Sequence, residues 1–279
     1  MFNIVDKIKE FFSEILIDMI KENLSGMLLD INDKVSTIAN EVGKTPSGWN
    51  SEVFHFIKSI SENVILPIAG LIITAVLCIE LIQMVMNKNN MHDTDTFDFF
   101  KYMIKMWIAV WLVSHAFDFS MAVFDVAQNL IGKAAGVANA SAKVSPGDIA
   151  NMVDSLKGES IGKLMTIVLE TSIVKMIIQG ISILITVILY GRMIEIYIYT
   201  SVCAIPFATM GNKEWGSIGT NYIRGLFALG LQGLFLLICV GIYAVLVKTL
   251  NISDIHKSIF ELLGYTLILG ITTVSYTHL

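Results

Sequence analysis

The run Val64–Met86, VILPIAGLIITAVLCIELIQMVM, places 23 residues in a row with a single charge, Glu80. A helix of that length crosses a hydrocarbon core of roughly 30 Å. In lipid every backbone N–H and C=O must be satisfied within the segment, so such a run dictates a helix. Comparable runs occupy 103–124 and Gly225–Val247, and a shorter one lies near 259–274. The stretch 164–210 reads either as two spans joined by a tight turn at Gly191-Arg192 or as one span followed by a half-buried segment. The total is five or six transmembrane helices. Hydrophobic residues make up 54% of the 279 and charged residues 15%, against about 25% charged in a typical soluble domain. An average soluble enzyme, a disordered tail and a disulfide scaffold are all excluded. The fold class is all-α, a polytopic helical membrane protein.

The opening residues differ from the spans. Ile4, Ile8, Phe11, Phe12, Ile15, Leu16, Met19 and Ile20 recur at helical spacing, and charges fill the opposite face. This predicts an amphipathic helix rather than a secretory signal, whose apolar centre is uninterrupted. The polar face is slightly acidic, which favours packing on protein over lying on anionic lipid. Gly43, Pro46 and Gly48 mark a turn or linker. The chain therefore divides into 1–63 (amphipathic helix and linker), 64–124 (two spans), 125–163 (a long loop of small and polar residues with a Ser145-Pro146-Gly147 turn), 164–273 (a C-terminal bundle) and a tail, 274–279.

Charged groups at the centre of a membrane helix cost about 2.5–3.5 kcal/mol each on insertion scales, so each one needs a reason. Glu80 and Gln83 are three apart and share a helix face, as do His115 and Asp118. Glu170 and Lys175 are five apart and face different neighbours. Lys175 can share a face with Gln179. Arg192 and Glu195 are spaced to pair locally. The functional reading of this set is a polar lining for a water-filled path, or contacts inside a bundle. The plainer reading is snorkelling to the interface. Pro206 would break regular helix bonding in the stretch after Arg192.

No catalytic constellation appears. The chain has no HExxH, GxSxG or Walker-type phosphate loop. Cys78, Cys203 and Cys239 are far apart in apolar runs and read as small buried hydrophobes. No metal or cofactor is indicated. The net charge of −5, without a basic stripe, disfavours a tight grip on nucleic acid.

The most distinctive stretch is Tyr190–Gly233. Its YGR-x-x-E-I-Y start, A-I-P-F-A-T turn at 204–209, G-N-K-E-W loop at 211–215 and N-Y-I-R-G-L-F-A-L entry to the next span resemble the TrbL-like family. These are polytopic membrane subunits of conjugative type IV secretion systems, here of the Gram-positive mobile-element type. The general layout fits as well. The resemblance implies a channel or scaffold subunit in the bacterial cytoplasmic membrane that helps move DNA across it. It also implies a homo-oligomer and partners among other secretion subunits, ATPases included, with lipid around it and DNA touched only transiently. Lys213, Glu214, Trp215 and Arg224 would form a loop that meets partners. The alternative is a stand-alone transporter or channel for a small solute or ion, which should show internal repeats. None is visible.

The final string, SYTHL, does not fit what precedes it. It resembles translated sequencing-adaptor read-through, and the expectation is that the native chain continues past about Thr273.

Overall fold

A computed structural model describes residues 2–86, 96–141, 152–212, 214–249 and 255–276. Among these residues every regular element is a helix. Ten α-helices follow in order: α1 Phe2–Val42, α2 Pro46–Trp49, α3 Ser51–Ile60, α4 Leu66–Met86, α5 Thr96–Ser114, α6 Ala116–Ser141, α7 Ile161–Ser201, α8 Ala204–Thr209, α9 Gly216–Lys248 and α10 Ile255–Tyr276. A π-helical turn over Ser61–Ile65 joins α3 to α4 without a break. By length and composition four helices can cross a membrane: Ser51–Met86, Ile161–Ser201, Gly216–Val247 and Ile255–Ser275. The pair Phe97–Ser114 and Ala116–Ala135 makes a fifth if counted as one span. The chain is a polytopic helical membrane protein, and its described residues supply four or five candidate spans.

Three readings of the sequence change. The second span is not one straight helix. It bends by 70° between α5 and α6. No proline is present there. The His115 ring takes up the Trp111 carbonyl at 2.9 Å and stacks on the Trp111 ring. The same carbonyl also accepts from the His115 backbone N–H at 3.1 Å, so the ring adds a second bond beside an intact ladder, and side-chain bonds of this i−4 kind accompany helix bends. The helix then runs to Ser141 instead of ending at 124. Ala127, Ala134 and Ala135 are strong helix formers, and Ile131, seven residues beyond the buried Phe124, is itself fully buried. The stretch 164–210 resolves as one uninterrupted 41-residue helix, α7, followed by a tight turn and the six-residue α8. Among the described residues the candidate spans number four, or five with the bent pair counted as one, against the five or six expected. The Ser145-Pro146-Gly147 turn and the end of the tail, 277–279, lie outside the described residues.

The chain forms two compact units. The first comprises Met1–Gly43, Ile131–Tyr190 and Leu234–Leu279. Its core is built from single stripes of four helices. Ile20, Leu24 and Met27 come from α1, and Leu164, Ile167, Val174 and Ile178 from α7. Leu236, Val240 and Ala244 of α9 meet Ile259, Leu262 and Leu269 of α10. Each set keeps to one face of its helix, as burial along a stripe requires. A buried hydrogen bond of 3.0 Å between the Tyr243 and Thr266 hydroxyls crosses from α9 to α10.

The second unit comprises Lys44–Leu130 and Gly191–Gly233. Thr45 caps α2 by accepting from the Gly48 N–H, and Pro46 sits in the first turn, where its missing N–H costs nothing. Asn50 caps α3 by accepting from the N–H groups of Glu52 and Val53. The core joins Ala69, Ile73 and Leu77 of α4 to Phe117 and Phe124 of α6, Ile196 of α7, Phe207 of α8 and Leu226 of α9.

Close approach in this unit depends on two glycines. A Cβ at Gly225 would strike the Tyr199 hydroxyl, which is held by its hydrogen bond to the Tyr222 carbonyl. A Cβ at Gly219 would lie 2.6 Å from the Pro206 carbonyl oxygen, a backbone atom. Gly219→Ala should therefore destabilise the protein by about 1–3 kcal/mol, the usual cost of overpacking. The control is Gly180→Ala, also within a helix, where nothing lies within 4 Å of the added methyl. Thermal unfolding in detergent should show a lower Tm for the first variant and no loss for the second.

Candidate functional site

The distinctive stretch Tyr190–Gly233 folds back on itself. The last turns of α7 carry Arg192, Tyr197 and Tyr199, α8 forms the bend, and α9 makes the return limb. Pro206 is the third residue of α8, so it sits in the first turn, where a free N–H is not needed. Regular helix bonding is interrupted at Val202 and Cys203, where the missing Pro206 N–H would have been needed to continue α7. α8 packs on α4 and α5 within the second unit. Thr209 returns its hydroxyl to the Pro206 carbonyl at 2.8 Å. Buried Asn212 closes the bend: its Oδ1 accepts from the Glu214 N–H at 2.7 Å and the Trp215 N–H at 3.3 Å.

Two tyrosines clamp the limbs of this bend. The rings of Tyr199 and Tyr222 stack 4.4 Å apart and 3° from parallel. Each hydroxyl donates to the other residue's carbonyl, Tyr199 at 3.1 Å and Tyr222 at 2.8 Å. Tyr197 donates to the Pro46 carbonyl, which ties α7 to the start of α2. Ser61, in the π-helical turn, lies 3.8 Å from the Cys203 sulfur. The cysteine is buried, as expected of a small hydrophobe, whereas Cys78 is exposed and Cys239 half-buried.

The remaining predicted residues fall out separately. Glu80 binds Lys105 of α5 at 2.5 Å, and Gln83, on the same helix as Glu80, is half-buried. Glu170 meets His256 at 2.6 Å. Lys175 donates to Asn23 of α1 at 3.4 Å, and Asn23 in turn donates to the hydroxyls of Thr171 and Ser172. Glu170 and Lys175 thus do face different neighbours, while Gln179 is exposed. Glu214, Trp215 and Arg224 are exposed. Lys213 lies outside the described residues.

Two expected pairs do not form. His115 stacks on Trp111, and Asp118 instead faces Lys58 at 3.9 Å. Asp118 follows the 70° bend, so a spacing of three no longer means one face. Arg192 is 2% exposed, but Glu195 is exposed and makes no ion pair with it among the described residues. The Arg192 Nε and Nη2 have no hydrogen-bond partner there. Arg192 lies in the buried stripe with Met193, Ile196 and Tyr197, while Glu195 lies at its exposed edge, close enough to act on Arg192 electrostatically but not as an ion pair.

Among the partners that the sequence reading missed, four stand out: Lys105, His256, Asn23 and Asn212. Lys105 carried a visible signal, a lone charge at the start of the apolar run KMWIAVW. The other three are ordinary polar residues whose roles depend on which helices meet. Among the described residues no three His, Cys, Asp or Glu side chains come together as metal ligands would.

Residues 31–204 match the model of the family described as TrbL/VirB6 plasmid conjugal transfer like protein. The chain belongs to this family. No curated protein and no solved structure matches it. The family match takes in α2 to α7 and ends at the first residue of α8, so the Gly211–Trp215 loop and the return helix α9 lie beyond it. As a TrbL/VirB6 member the chain is a conjugal-transfer component of type IV secretion.

Two expectations follow from the polar residues. Lys105→Met alone leaves the Glu80 carboxylate largely buried without its partner and should cost about 1–3 kcal/mol. Glu80→Gln combined with Lys105→Met should recover most of that, and the coupling read from a double-mutant cycle in detergent unfolding tests the pair. Arg192→Met should leave stability unchanged or raise it, because an apolar residue of similar length removes a buried charge that has no ion-pair partner among the described residues. If the charge is kept for function, conjugal transfer should fall in the same variant. Unfolding and mating assays on one strain separate the two effects.

Proposed function

We propose that this TrbL/VirB6 member is a channel or scaffold subunit of a conjugative machine in the bacterial cytoplasmic membrane, where it helps carry DNA across. The observation that carries the reading is the family match over residues 31–204, which falls on a chain with four or five membrane-crossing helices. The sequence holds no phosphate-binding loop, which fits a division of labour in which partner ATPases supply the energy. The net charge of −5 fits a conduit better than a grip, since basic contacts to phosphates would hold a polyanion in place. DNA contact on this reading is brief. Homo-oligomerisation belongs to the same reading: exposed apolar side chains, Trp107 and Trp111 in one unit and Leu169 in the other, are available to lipid or to further copies.

On this reading the exposed Glu214, Trp215 and Arg224 belong to a surface that meets partner subunits. The Asn212 turn gives that surface a fixed shape.

An in-frame deletion should abolish transfer of the element and leave growth and solute uptake intact, with complementation in trans restoring transfer. Quantitative mating gives the first readout, and growth curves with uptake assays give the second. Undiminished transfer would overturn the proposal. Normal transfer combined with a specific uptake defect would support a stand-alone transporter instead.

A further inference from the structure

The first half of α1 is a helix with two unmet requirements. Its apolar stripe, Ile4, Ile8, Phe11, Ile15 and Met19, is exposed, from 41% at Ile15 to 65% at Ile4. The same helix continues into Ile20, Leu24 and Met27, which are buried in the core of the first unit. The packed half of α1 thus shows what the free half is made for. It presents helix-packing side chains beyond the point where the chain's own helices stop covering them.

The second requirement is electrostatic. Asp6, Glu10, Glu14, Asp18 and Glu22 stand four residues apart in an unbroken row, and all five are exposed. Like charges four apart repel along a helix. None of the five forms an ion pair with a described residue. Lys7, Lys9 and Lys21 are also exposed on this half, which leaves the carboxylates in excess.

Three kinds of surface could cover the stripe. A second copy of the helix would set one carboxylate row against another. The anionic surface of a bacterial leaflet would repel the row, and membrane-surface helices carry lysine and arginine instead. A partner helix with its own apolar face flanked by Lys and Arg meets both requirements at once, as charged flanks do in paired helices.

We propose that residues 2–22 are a docking helix for a basic amphipathic helix of another protein. The inference stands on the helix itself and does not depend on the conjugation reading. The stripe supplies the contact area, and the row fixes the sign and orientation of the partner. About 21 residues at roughly 1.5 Å each give about 30 Å of contact length, or about three heptads.

The test uses the full chain in nanodiscs of zwitterionic lipid, with empty nanodiscs as the blank. The probes are two labelled helical peptides of about 21 residues, one with a leucine face flanked by lysine and one with the lysines replaced by glutamate. The lysine peptide should bind and the glutamate peptide should not. The triple variant Glu10→Lys, Glu14→Lys, Asp18→Lys should weaken the lysine peptide about tenfold and admit the glutamate peptide. Phe11→Ser with Ile15→Ser should lose both. All these positions are exposed, and unchanged circular dichroism checks that the variants fold. Binding indifferent to both sets of changes overturns the proposal. A photoreactive side chain at position 11 in donor cells gives a second reading. Cross-linking to a Lys/Arg-flanked amphipathic segment of another protein supports the proposal, whereas adducts only to lipid, only to a second copy, or none overturn it. Mating assays on the same variants keep the two hypotheses apart, because lost docking with normal transfer leaves the docking result standing.

Discussion

An apolar environment that offers no hydrogen bonds to the backbone governs this structure. Every N–H and C=O in a span must be met from within, so the chain remains helical wherever it is apolar. The departures from regular helix are each met by a side chain or by a shift in backbone pairing. At the α5–α6 bend the Trp111 carbonyl keeps its bond to the His115 N–H and gains one to the His115 ring. Between α8 and α9 Asn212 receives two N–H groups. Between α3 and α4 the chain changes to a π-helical turn over Ser61–Ile65, which keeps the bonds while shifting the register of the faces on either side.

The same economy applies to the polar side chains. Glu80 with Lys105, and Glu170 with His256, are held between different helices. Lys175 reaches Asn23 across from α7 to α1. Tyr199 and Tyr222 exchange hydroxyl bonds across the bend. Arg192 stands apart from these: it is as buried as the core around it, yet two of its nitrogens have no partner among the described residues. A buried charge in that setting carries a desolvation cost that no ion pair among the described residues offsets.

Much of the fold could be read from the sequence because long apolar runs leave a chain few options. The spans near Val64–Met86 and Gly225–Val247 needed only their length. What could not be read was where a helix bends without proline, as at His115, or continues without strong hydrophobicity, as through Ala134 and Ala135. Both depend on tertiary contacts that a periodicity does not encode. Pairing within one helix was the weakest guide. His115 with Asp118 and Arg192 with Glu195 have the right spacing, but a bend separated one pair and burial the other. Glu80 and Glu170 found their partners across helices, and sequence spacing carries no information about that. The residues that set the bend between α7 and α9, Asn212 above all, are visible only once both limbs are in place.

The unbroken length of α7 has a geometric consequence. Its 41 residues extend about 60 Å, twice the roughly 30 Å of a hydrocarbon core. Even a tilt of about 40° would leave a substantial part of the rod in water. Its charge-free run is 176–191, so the portion that emerges is the N-terminal one, where Glu170, Lys175 and their partners lie. Those contacts then fall outside the charge-free window of the helix. Ions that reach them screen the Glu170–His256 contact only when the imidazole carries a proton. Arg192, at the far end of the apolar run, is walled off from the same ions.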